Sequence, residues 1–175
     1  MYRVGLTLAG ALWLPLGLAA CSPPLNWREV RPPDSGALAM FPCKPKNDTR
    51  RVPLAGPPVV LAVFVCRTRD VTYALSHADV ADPTRVGPAL QALRASALAN
   101  VGGRVASEQT LQVDGMTPHP DARLLELRGK LPGGEAVQER VALFSKGTRV
   151  FQATMFGAVL DVEASETFFS GLRLP

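Results

Sequence analysis

Four strand-like runs follow one another at residues 105–113, 123–131, 136–146 and 149–156, and turn residues separate them: Asp114-Gly115, then Pro132-Gly133-Gly134, then Gly147. The last two joints are only a few residues long. A parallel crossover needs a dozen residues or more, so these strands must neighbour one another as an antiparallel meander. Every other element of the chain has to pack on, or extend, that sheet.

The first half supplies both kinds of neighbour. Residues 37–41 form a short run ended by Pro42, and residues 49–54 a second, weakened by Pro53 and followed by the breaker Gly56-Pro57-Pro58. Residues 59–69, VVLAVFVCRTR, are rich in β-branched side chains and apolar on both alternating faces, the pattern of a strand covered on both sides. Residues 71–80 follow as its hairpin partner, with Arg69-Asp70 at the turn. The period then changes. Asp82-Pro83 makes an N-cap and first-turn pair, and Val86, Leu90, Leu93, Ala97 and Val101 recur at helical spacing until Gly102-Gly103 stops them. Pro88 places the regular part near Gly87, after an irregular turn. A short terminal helix at 162–170 carries Ala164 and Phe168 as docking residues and closes at Gly171. The expected fold class is α+β, an antiparallel β-sheet flanked by a long helix and a C-terminal helix.

The N-terminal residues speak of an address. Residues 1–20 hold one charge, at Arg3, then an apolar run from Val4 to Leu18 and the small pair Ala19-Ala20, the layout of a secretory signal peptide. A spanning helix needs roughly 20 apolar residues, and this run is shorter and interrupted by Gly5, Gly10, Pro15 and Gly17. Leu18-Ala19-Ala20-Cys21 resembles the lipobox of bacterial lipoproteins. The resemblance implies a diacylglyceryl group on the Cys21 thiol, cleavage before it and acylation of the new amine, a palmitate-like chain included. Two or more acyl chains give lasting attachment, so the membrane is one expected partner. Ser22 stands where some lipoproteins carry an aspartate that retains them at the inner membrane. The expected location is therefore the bacterial cell envelope, more specifically the outer membrane facing the periplasm.

Residues 21–36 contain four prolines and read as a tether, leaving 37–175 as a single α+β domain. Trp27 in the tether either meets a partner or the membrane interface, or pins the tether to its own domain; the last is the expectation. Three cysteines in an exported chain are an odd number. With Cys21 taken by lipid, Cys43 and Cys66 remain, either as a disulfide in an oxidising compartment or as two buried thiols. The disulfide is expected.

The order of the pieces carries a second resemblance. A start in MFPCKP, a hairpin ending in YALSHADV, a helix, a meander with ARLLELRG and RVFQATMFG, and a closing ETFFSGLRL are similar to the PsbP-like α/β/α sandwich, which includes DcrB-like bacterial lipoproteins. The tether and sequence style are also similar to uncharacterised lipoproteins of β-proteobacteria. The resemblance spans residues 37–174 and implies a non-enzymatic role beside an envelope protein, without naming that partner.

The residues offer little for catalysis. There are two histidines. His77 lies in Ser76-His77-Ala78-Asp79, where His77 and Asp79 can share a strand face, but two ligands do not make a zinc site. His119 reads as an exposed loop residue. A hydrolase built on Ser76, His77 and Asp79 is the least favoured option, since no nucleophile elbow, zinc helix, phosphate loop or C-x-x-C pair occurs. Glu108, Glu126, Glu135 and Glu139 lie in or beside the meander and read as cross-strand surface pairs. The formal charge of +4, with Lys44, Lys46, Arg50 and Arg51 interrupted by Asp48, does not suggest nucleic acid. No enzyme activity, cofactor or metal is expected. Two functions remain: the expected one is a binding or assembly-assisting module for an envelope protein, and the alternative is a carrier of a small hydrophobic ligand in a cavity of the sandwich. Trp27 and His77 are the candidate binding residues.

Overall fold

The computed structural model of the protein describes residues 25–175. The signal segment 1–20 and Cys21 lie outside the described residues. Among the described residues nine strands and two α-helices follow in chain order. They are β1 (Arg28–Val30), β2 (Ala39–Phe41), β3 (Lys46–Val52), β4 (Val59–Thr68), β5 (Val71–Asp79), α1 (Val86–Val101), β6 (Arg104–Thr110), β7 (Arg123–Lys130), β8 (Ala136–Lys146), β9 (Arg149–Gly157) and α2 (Val162–Ser170).

Seven strands form one sheet in the order β3-β4-β5-β9-β8-β7-β6, antiparallel throughout. It consists of two meanders, β3-β4-β5 and β6-β7-β8-β9, joined where β5 pairs with β9. The expected α+β class and the flanking helices are present. The β4–β5 turn sits at Arg69-Asp70, both with positive φ (50° and 59°), the backbone that a two-residue hairpin loop demands.

Each helix boundary has a local cause. The Asp82 carboxylate accepts from Thr84 N (2.8 Å) and caps a 3-10 turn at Pro83–Arg85, from which α1 continues. Gly102, at φ 53°, ends α1 in the left-handed conformation that glycine adopts without steric cost. Asp161 caps α2 by accepting from Ala164 N (2.8 Å). At the α1 exit a Cβ on Gly129 would collide with the Val101 carbonyl, so helix end and β7 can cross only because this residue has no side chain.

The sheet is covered unequally. On one face Phe41, Tyr73, Leu75, Phe144, Phe151, Met155 and Phe168 pack with the docked α2, and the β1–β2 ribbon closes that side. The Trp27 ring meets Tyr73 edge-on at 6.1 Å, and Tyr73 meets Phe168 at 5.4 Å, so the proline-rich segment is pinned to the domain. Cys43 and Cys66 form a disulfide across a sequence separation of 23, tying the loop after β2 to β4. On the other face α1 lies over β7, β8 and β9, where Leu90, Leu93, Ala97 and Val101 cover Leu125, Leu127, Val141 and Leu143. Seven strands span roughly 29 Å, while one helix is about 10 Å across. A single helix therefore cannot cover this face. The expectation that the run at 59–69 is covered on both sides fails there, since Val63 and Val65 are only half-buried; at the end of β4 it fails on the opposite face too, where Val60 is 53% exposed.

Candidate functional site

The uncovered strip on the α1 face is a groove of about 410 Å³. Its floor is laid down by strand alternation. Register places Val63 on β4, Ala74 and Ser76 on β5, Gln152 and Thr154 on β9 and Glu139 on β8 on the same face as Leu61 and Val141. One wall is α1 through Leu93, Ser96 and Asn100; the far rim is Arg50, Val52 and Pro53. The floor is partly polar: Gln152 Nε2 donates to Thr154 Oγ1 (3.1 Å), which fixes the amide along β9.

Glu139 closes the inner end. It is 4% exposed, and its Oε2 has no hydrogen-bond partner among the described residues. Opposite it stand Leu127 on β7 and Phe156 on β9, neither able to solvate a carboxylate. Burial alone pushes the carboxyl up to about 7. The expectation that Glu139 is a surface pair is corrected here: it faces α1, and the helix takes away both its water and any partner. Glu108 does form exposed pairs, with Arg94 (2.9 Å) and Arg123 (3.3 Å), and Glu126 lies opposite Arg140 on β8.

The outer rim depends on Arg85. Its guanidinium donates to Ala55 O (2.9 Å), Val80 O (2.7 Å), Leu54 O (3.0 Å) and Pro57 O (3.0 Å). Four carbonyls from two chain segments thus converge on one planar cation, which fixes the β3–β4 loop beside the groove.

His77 and Ser76 do not meet. Ser76 faces the groove and its Oγ donates to Gln152 O (3.4 Å). His77, one residue on, points to the opposite face between Phe64 (6.2 Å) and Phe151 (6.1 Å). Asp79 shares the His77 face by alternation, but its carboxylate accepts from Ala81 N (2.8 Å) and Thr148 Oγ1 (2.7 Å) instead. Those bonds, Thr148 first, lower its pKa. No nucleophile, base and orienting acid are assembled by these three residues. His77 is 7% exposed with an unpartnered Nε2, and burial, then Arg149, lower its pKa against the raising effects of Asp34 and of the Pro33 carbonyl. His119 is half-buried, its Nδ1 accepting from Asp121 N (3.1 Å).

No family model matches the chain, and no curated protein matches it. Among solved structures it is similar to PA94, a protein of unknown function from Pseudomonas aeruginosa, at 14% identity, with 80% of this chain and 88% of that chain covered and a TM-score of 0.40. That likeness is distant.

Two side chains that shape the groove escaped the sequence reading. Glu139 carries a partial signal, since alternation puts it on the face of Val137 and Val141. Arg85 carries none, because its four acceptors are brought to it by the fold. Among the described residues no group of three or more His, Cys, Asp or Glu could hold a metal ion, and no helix is long and apolar enough to cross a membrane.

Proposed function

We propose that this chain is a lipid-anchored protein of the bacterial envelope whose α+β domain is a non-catalytic binding module, with the groove between α1 and β4–β5–β9 as its site. The anchor part rests on the signal-like run and Leu18-Ala19-Ala20-Cys21. The PsbP-like and DcrB-like resemblance belongs to the same proposal. Substituting Cys21→Ser tests the anchor: acyl labelling should vanish and uncut precursor accumulate, and unchanged membrane attachment without lipid would contradict it.

Of the two occupants open to such a module, an envelope protein or a small hydrophobic ligand, the groove favours the ligand. The carrying observation is its shape: a strip of about 410 Å³, with Val63, Ala74 and Phe156 on the floor and Leu93 on the wall. That volume falls within the range of small-molecule sites. The fluorescent probe N-phenylnaphthylamine should bind one-to-one, and Ala74→Trp, which fills the floor, should abolish binding while thermal unfolding stays cooperative. Saturable binding that survives the Trp substitution would place the site elsewhere.

A further inference from the structure

We propose that the groove selects an amphipathic amine, its apolar body on the Val63–Ala74–Leu93 surface and its ammonium group against Glu139 Oε2 at the inner end. This deepens the reading of the groove as a ligand site and rests on it.

Glu139 is 4% exposed and opens on the groove, with one carboxylate oxygen unpaired. On its own strand the same face carries Val137 and Val141; β7 contributes Leu127, β9 contributes Phe156 and Thr154, and α1 contributes Leu93, Ser96 and Asn100. None of these side chains titrates. The charged side chain that shares the groove, Arg50, sits on β3, four strands away across the sheet.

An unpaired buried acid is costly in either protonation state, and a ligand that pairs with it removes that cost. A carboxylate or phosphate head would meet repulsion there. An alcohol could bond to the acid or to the hydroxyls and amides around it, so Glu139 would hardly affect its affinity. An ammonium group is the head for which this side chain makes the difference, because it converts an orphaned acid into a charge-assisted pair in a dry site. The chain behind the head then runs over the apolar floor.

The same pairing makes binding depend on pH. Glu139 titrates at about 7, so at lower pH it must release its proton before it can pair, whereas an alkyl ammonium stays charged across this range.

Octylamine, octanol and octanoate can be compared as competitors of N-phenylnaphthylamine on the intact mature protein at pH 8 and pH 6, together with Glu139→Gln. Octylamine should bind most tightly at pH 8 and weaken by about tenfold at pH 6, with proton release visible when calorimetry is repeated in buffers of different ionisation enthalpy. Glu139→Gln should bring octylamine down to the affinity of octanol, and a cooperative thermal unfolding transition shows that the variant is folded. If octylamine and octanol bind alike, or the preference survives Glu139→Gln, the amine assignment is overturned while the groove remains a ligand site. If none of the three competes with the probe, both readings fall.

Discussion

The His77 imidazole lies nearly parallel to the Phe64 ring, 6.2 Å between centroids at 11°, on the face of the sheet opposite the groove. Phe151 flanks it on the far side at 6.1 Å. This is the environment of a neutral imidazole, and it accounts for the lowered pKa. The stability it contributes is present above the ordinary imidazole pKa near 6.5 and is lost as pH falls through the lower folded value. Replacing His77 with Phe should flatten the acid side of the stability profile, read as Tm at pH 5 against pH 8. An unchanged slope would assign acid unfolding to other groups.

Glu139 has the opposite sign. Its carboxyl titrates at about 7 in the folded protein against 4.5 ordinarily, so between those values the folded state holds a proton that the unfolded chain has released. Its contribution is fully present below about pH 4.5 and is lost as pH rises through about 7. The difference is worth at most about 3 kcal/mol. Glu139→Gln keeps the neutral shape, so it should be more stable than the parent at pH 8 and nearly equal at pH 4.5. Denaturant unfolding at the two pH values measures this; equal stability of the two proteins at pH 8 would show that the carboxyl is solvated.

Arg85 supports the rim through four carbonyl acceptors. Arg85→Ala should cost about 2–4 kcal/mol, because partly buried carbonyls lose a charged donor. Arg85→Lys should recover only part of this, since an ammonium has no planar fork. Hydrogen exchange should quicken at the amides of 54–56 in both variants. Unaltered exchange there would mean that the loop holds its shape without the guanidinium.

The Cys43–Cys66 bridge closes a sequence separation of 23 and should stabilise the domain by about 3 kcal/mol under the chain-entropy model. Maleimide labelling of the unfolded protein should find neither thiol until a reductant is added. Two reactive thiols before reduction would contradict the pairing.

Hairpin neighbours and helix limits were legible because they are local, whereas the pairing of β5 with β9 that joins the two meanders is not and was not foreseen. Gly147 turns β8 into β9, Asp82 and Gly102 bound the long helical segment, and the β-branched run at 59–69 marks β4 with β5 as its hairpin partner. Local signals do not report what lies across from a strand. Val63 belongs to the more apolar run, yet α1 covers Val141 completely and leaves Val63 half-buried. The same helix turns Glu139 from an expected surface residue into a buried acid. The strand β1 was invisible for a related reason: its three residues, Arg28–Val30, form a strand only because Ala39–Phe41 pairs with them and Trp27 docks on Tyr73.

A groove that serves as a ligand site holds a small molecule in the cell. Native mass spectrometry of the protein isolated from its own host under non-denaturing conditions tests it most directly. The expected result is a discrete non-covalent added mass on the parent protein that is absent from Ala74→Trp. A parent spectrum with the covalently processed mass alone, identical in adduct pattern to the Trp variant, would contradict the account.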